Sequence, residues 1–115
     1  MEDNQPLPKV SAIVVSWNSA PALRRCLGAL ERSTGRESLE IVVVDCGSHD
    51  ESPLLDTEFP QITMLRLPRN FGIVKALNIG IRTAKGDMFL FLPPEAEVQP
   101  GTVSSLAALL EATVD

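Results

Sequence analysis

The sequence predicts an α/β fold with helices on both faces of a mostly parallel sheet, and three observations predict it. Short, largely apolar runs recur at Val10–Val15, which is also rich in β-branched residues, and at Leu39–Val44, Ile62–Leu67 and Met88–Leu92. Segments with helical spacing or helix-start chemistry separate them. The first run is apolar at nearly every position, the pattern of a strand covered on both sides. The resulting β-α-β-α-β-α-β-α order builds three layers, α/β/α, joined by right-handed crossovers.

Each element has its own signals. Val10–Val15 is broken by Ser16-Trp17-Asn18, and Ser19 with Pro21 then supplies a cap and a first-turn residue for a helix. Leu23, Cys26, Leu27 and Leu30 form its inner face, Arg24, Arg25, Glu31 and Arg32 its outer one, and Gly35 lies just past its end. The second strand ends at Asp45, and Cys46-Gly47-Ser48-His49-Asp50 has turn composition. Ser52-Pro53 opens a short helix containing Leu54 and Leu55, followed by the weaker third strand and a loop, Pro68 to Gly72. From Ile73 to Lys85 the period is helical, with Ile73, Leu77, Ile81 and Ala84 on one face and Gly86 placed as a left-handed cap. Pro93-Pro94 stops the fourth strand, and a last amphipathic helix starts near Gly101-Thr102 and carries Leu106, Leu109 and Leu110 to the terminus.

At 115 residues and 44% apolar, the chain has material for one core. Residues 1–9 read as a flexible polar leader, neither signal peptide nor membrane anchor, and 10–115 as the domain. No apolar run approaches the roughly 18 residues of a transmembrane helix. A net charge of −5 argues against nucleic acid as a partner. Cys26 and Cys46 have no metal-ligand spacing and form no disulfide framework, which fits a reduced, cytoplasmic setting. There is no G-x-G-x-x-G for a dinucleotide and no acidic pair after the first strand, as a receiver-type signalling domain requires. His49, the single histidine, has no evident partner and reads as an exposed loop residue.

Ligands of parallel sheets sit beyond the carboxyl ends of the strands. That rule puts Ser16-Trp17-Asn18, Asp45-Cys46-Gly47, Asn70-Phe71-Gly72 and Pro94-Glu95-Ala96-Glu97 on one rim. The succession 10–18, 41–50, 70–80 and 86–101 resembles, in order and spacing, the N-terminal half of family 2 glycosyltransferases. The resemblance implies a Rossmann-like GT-A fold and inverting transfer of a sugar from a nucleoside diphosphate donor, a UDP- or dTDP-sugar, with Mg²⁺ or Mn²⁺.

It also implies roles. Ser16, Trp17 and Asn18 meet base and ribose, with the Trp17 indole able to stack on a pyrimidine. Asp45 and Cys46 occupy the base-contacting positions, although a thiol is a poor hydrogen-bond partner, and Asp45 reads equally as a carboxylate that orders its loop. Asp50 holds the turn. Gly72 lets the backbone approach ligand or turn left-handed, Lys75 adds a charge near the diphosphate at a helix N-terminus, and Asn78 and Gly80 serve packing. Pro93-Pro94-Glu95-Ala96-Glu97 stands as a variant of the family's D-x-D cluster, which assigns the divalent ion to Glu95, then Glu97. No catalytic residue is assigned, because the family's acceptor site and general base lie beyond the acidic segment. The chain alone is expected to be inactive, as a fragment or as a truncated paralogue. The alternative is a non-catalytic interaction module that keeps the fold. Exposed leucines on the last helix would favour a homo-oligomer.

Overall fold

A computed structural model describes residues 7–113 of the chain. Its strands β1 (Val10–Ser16), β2 (Leu39–Asp45), β3 (Thr63–Arg66) and β4 (Met88–Leu92) form one sheet in the order β3-β2-β1-β4. Every neighbouring pair is parallel, and Val10 stands opposite both Leu39 and Met88. The two central strands are buried almost throughout, which accounts for their unbroken apolar sequence.

Side chains alternate across the pleat, and each face meets a different helix layer. Val10, Ala12 and Val14 of β1 pack with Leu23, Cys26, Leu27 and Leu30 of α1 (Ala20–Glu31) and with Val103 and Ala107 of α3 (Thr102–Thr113). On the other face Ile13, Val42 and Val44 meet Ala76 of α2 (Ile73–Thr83), with Leu77, Ile81 and Ala84 partly buried beside them. The three layers are thus as expected.

Several local expectations change. The connection from β2 to β3 is a 3₁₀ turn, Ser52–Thr57, rather than an α-helix. It buries Leu55, but Leu54 is 61% exposed. Arg24 of α1 clamps this short segment from outside through Glu51 at 2.8 Å and Glu58 at 2.9 Å. On α2 the deepest residues are Ala76 and Gly80, whereas Ile73 is 58% exposed. Small residues there let the helix close on the sheet: a Cβ on Gly80 would lie 2.7 Å from Ile13 Cγ2.

Gly86 is not left-handed; Gly35, Gly47 and Gly72 are the positive-φ glycines among the described residues. Gly86 is required by close approach, since a Cβ would sit 2.8 Å from the Ser11 nitrogen. A hydrogen-bonded staple holds this place: Ser11 Oγ donates to Glu40 Oε1 at 2.6 Å, and the backbone N–H groups of Lys85 and Gly86 donate to Glu40 and Ser11. Gly35 opens a 3₁₀ turn, Arg36–Ser38, while α1 itself ends at C-cap Arg32. On α3, Leu106, Leu109 and Leu110 face outward, and Val103 and Ala107 form the buried stripe. Of the expected leader, residues 1–6 lie outside the described residues. Lys9 is tied in, its N–H donating to Ser38 O at 2.8 Å and its carbonyl accepting from Met88 N at 3.1 Å. No helix among the described residues is long and apolar enough to cross a membrane.

Candidate functional site

From β1 the chain builds outward through α1 to β2 and β3, then returns over the opposite face through α2 to β4. The loops after β1 and β4 therefore diverge at a topological switch point, where open parallel sheets leave a crevice. An apolar cavity of about 240 Å³ lies there, lined by Val15, Ile73, Leu77, Phe91, Leu92, Pro93 and Pro94. Another cavity, of about 190 Å³, adjoins Lys9, Val10 and Leu39 at the opposite, amino end of the strands. It is remote from the rim.

Two of the four rim loops are hydrogen-bonded to each other, and a third is packed closely against them. Asp45 is 1% exposed, yet both its oxygens are used: Oδ2 accepts the Ser48 backbone N–H at 3.0 Å and Oδ1 the Ser48 hydroxyl at 2.6 Å. Ser48 Oγ in turn accepts the Asn18 N–H at 2.8 Å, and Asn18 Oδ1 accepts the His49 N–H at 2.7 Å. Asn18 takes a left-handed conformation, φ 50°, which asparagine tolerates better than most residues. Gly47, at φ +72°, passes so close to the third loop that a Cβ would lie 2.6 Å from Arg69 Cα.

Asp50 caps α1 from another part of the chain. Its Oδ2 accepts the Ala20 N–H at 3.0 Å and its Oδ1 the Ser52 N–H at 2.8 Å. Partial burial pushes its pKa up, but bonds from Ser52 and the Ala20 backbone outweigh this and hold it below the usual value. The expected cap, Ser19, makes no capping bond; its hydroxyl donates to Trp17 O at 2.8 Å. Sequence reasoning missed Ser48 as the hub of this network. The available signal was its place three residues after Asp45 in a turn, a common side-chain-to-backbone pattern.

The remaining candidates divide into exposed and buried. Trp17 is 52% exposed and stands at the head of the switch point. Ser16 is buried, and its hydroxyl finds no hydrogen-bond partner among the described residues. Cys46 was expected at the ligand surface, but its side chain belongs to the core with Ile13, Val42, Val44 and Ala76. Burial, then the nearby Asp45 charge, raises its thiol pKa, so it is a protonated packing group. His49 is exposed, as expected. Gly72 has φ 93° and ψ 162°, a region almost reserved for glycine. Its N–H donates to Asn70 Oδ1 at 2.8 Å. Lys75 Nζ lies 5.3 Å from the Phe71 ring centre, and the Arg69 guanidinium covers the same ring at 4.9 Å. Asn78 is exposed rather than packed.

Glu95 and Glu97 follow β4 on a turn closed by Ala96 N–H to Pro93 O at 3.0 Å. Both carboxylates act on buried Cys26 of α1, whose pKa is raised to about 11 by burial first and then by these two charges. Glu97 also pairs with Arg25 at 3.6 Å, both side chains being more than half exposed. Among the described residues no group of three or more His, Cys, Asp or Glu is gathered as a metal cage. Two carboxylates nevertheless suit Mg²⁺, which takes one or two from protein and completes its octahedron with water and substrate phosphate oxygens.

A doubly wound parallel sheet with polar loops gathered at its switch point is the architecture of nucleotide-binding α/β domains. Residues 11–115 match the model of glycosyl transferase family 2, and the chain belongs to that family. It is 29% identical over 106 residues to an N-acetylglucosaminyltransferase of Sinorhizobium fredii, covering 87% of this chain and 26% of the relative. It is 30% identical over 105 residues to the uncharacterized glycosyltransferase YwdF of Bacillus subtilis, covering 90% and 38%. The chain thus spans well under half the length of these relatives. S. aureus TarS 1-349 in complex with UDP-GlcNAc superposes with a TM-score of 0.83 at 25% identity, over 90% of this chain and 31% of TarS. The mannosyltransferase PcManGT of Pyrobaculum calidifontis, in complex with GDP-Man and Mn²⁺, gives 0.76 at 27% identity over 98% and 34%. The fold is the N-terminal half of a GT-A domain.

Proposed function

We propose that this chain binds the nucleoside diphosphate part of a UDP- or dTDP-sugar across the rim, as the donor half of an inverting glycosyltransferase. The observation that carries the reading is Trp17, a half-exposed indole in the loop that directly follows the carboxyl end of β1. Stacking on a base is worth about 1–3 kcal/mol without selecting its identity. The UDP and UDP-GlcNAc in the TarS complexes support the same class of ligand.

In this reading Trp17 carries the base and the Asn18–Ser48–Asp45 network keeps its loop in shape. Asp45 acts through Ser48, and Cys46 acts through packing. Lys75 and the N-terminal N–H groups of α2 favour the diphosphate. Glu95, then Glu97, would hold a divalent ion, which neutralises charge on the leaving diphosphate when bound. The acceptor and the general base belong to sequence beyond the acidic segment, so the chain alone is expected to bind without transferring.

Trp17 is the only tryptophan, so its fluorescence reports directly on the site. Titration with UDP, with and without Mn²⁺, is expected to quench it, and calorimetry to give a matching constant. Trp17→Ala should weaken the calorimetric affinity by about tenfold to a hundredfold. Glu95→Ala should remove the metal dependence. Absence of both heat and quenching with UDP and dTDP would overturn donor binding. It would leave the second reading, an interaction module, which the Arg25–Glu97 pair favours by occupying one of the two carboxylates.

A further inference from the structure

The chain is net acidic, but its charge is segregated. Five of its ten cations and none of its fifteen carboxylate residues fall between Phe59 and Gly86. Arg66 is paired with Asp56 at 2.6 Å. Arg69, Lys75, Arg82 and Lys85 are exposed and take part in no ion pair among the described residues. By contrast Arg24, Arg25 and Arg36, which flank or belong to α1, are each neutralised by a carboxylate, and on that side Arg32 at the α1 C-cap is exposed without an ion pair among the described residues.

Topology sets these cations on one surface. α2 packs its Ala76–Gly80 stripe on the sheet, so Lys75, Asn78 and Arg82, at three- and four-residue spacing, line its outer face. Lys85 follows just beyond the helix end, where its backbone N–H donates to the Glu40 carboxylate at 2.7 Å. Apolar groups stand among the charges: Val74 is 69% exposed and Phe71 36%. A shallow groove of about 460 Å³ runs between Phe71, Val74, Lys75, Asn78, Ile79 and Arg82.

We infer that the outer face of α2 docks this domain on a bilayer containing anionic lipid. Basic side chains near such a surface are attracted by its negative potential, each contributing separately. Phe71 and Val74 supply the apolar contribution to the headgroup boundary that an interfacial helix needs. An acidic protein would meet the same cations without carrying the chain onto vesicles, which is what the test below distinguishes. The donor loops lie at the α2 N-terminus and the cations continue to its far end, so the inference does not rest on donor binding.

The test is co-sedimentation of the full chain with vesicles of phosphatidylcholine alone and with equimolar phosphatidylglycerol. Binding to the anionic vesicles only, weakened by salt, is the expected result. Arg82→Ala/Lys85→Ala should reduce partitioning about thirtyfold, and Val74→Ser should reduce it further. Arg25→Ala/Arg32→Ala, which removes one cation from α1 and one from its C-cap, should leave it unchanged. All these side chains are exposed, and circular dichroism checks that the fold persists. Equal partitioning to neutral vesicles, no partitioning at all, or the same loss from the α1 variant would each overturn the inference.

Discussion

Asp45 and Asp50 sit five residues apart in one loop and do different work, which only their partners reveal. Asp45 is sealed under Ser48, so Asp45→Ala strands the Ser48 N–H and hydroxyl at a partly buried place. Losing the acceptor should cost about 1–3 kcal/mol, measured as a lower urea midpoint. UDP affinity should fall as well, because the Asn18 loop loses its anchor. For Asp50 the effect is on pH dependence. Its folded pKa lies below the unfolded value, so its contribution is complete above the unfolded value of about 3.9. It is lost as pH falls through the folded value. The stability difference between wild type and Asp50→Asn should therefore be constant near neutrality and shrink under acid; a gap that persists there would contradict the capping role. Sequence showed that these aspartates belong to a turn. It could not show that Asp50 caps Ala20 or that Ser48 meets Asn18, since those partners are 30 residues away.

At the scale of elements, period and composition were enough where burial is two-sided. β1 and β2 lie within a residue of their expected limits, and the inner face of α1 is the expected one. They failed where one face is only half covered. Ile73 carried the helical pattern, yet it overhangs the switch-point crevice while Ala76 and Gly80 touch the sheet. Small residues give little hydrophobic signal, although they determine how closely a helix can pack. Gly80→Ala tests this. The added Cβ collides with Ile13 Cγ2 at 2.7 Å and meets Val44 Cγ2 at 3.3 Å. Overpacking costs of about 1–3 kcal/mol should exceed the roughly 1 kcal/mol gained in helix propensity. The variant should unfold at lower urea than the wild type. A more stable Gly80→Ala protein would mean that α2 is free to shift outward.

For the whole molecule, the sheet ends in an uncovered edge. β4 pairs only with β1 among the described residues, and its far side offers free backbone donors and acceptors. Such an edge invites another strand unless charge, proline or a bulge protects it. Met88 to Leu92 contains neither charge nor proline. Phe89 and Phe91 are 43% and 48% exposed on one face, with Leu106 and Leu110 of α3 at 47% and 45% on the other. Two copies related by a twofold axis would pair β4 antiparallel, extend the sheet across the junction and cover both apolar flanks. The chain should therefore show an apparent mass in sedimentation velocity that rises with concentration above 12.4 kDa. Phe89→Lys/Phe91→Lys should hold it at the monomer value, because like charges opposed across the twofold disfavour pairing while exposed positions tolerate lysine. A monomer at every concentration, or a variant that still associates, would show that the β4 edge is not where copies meet.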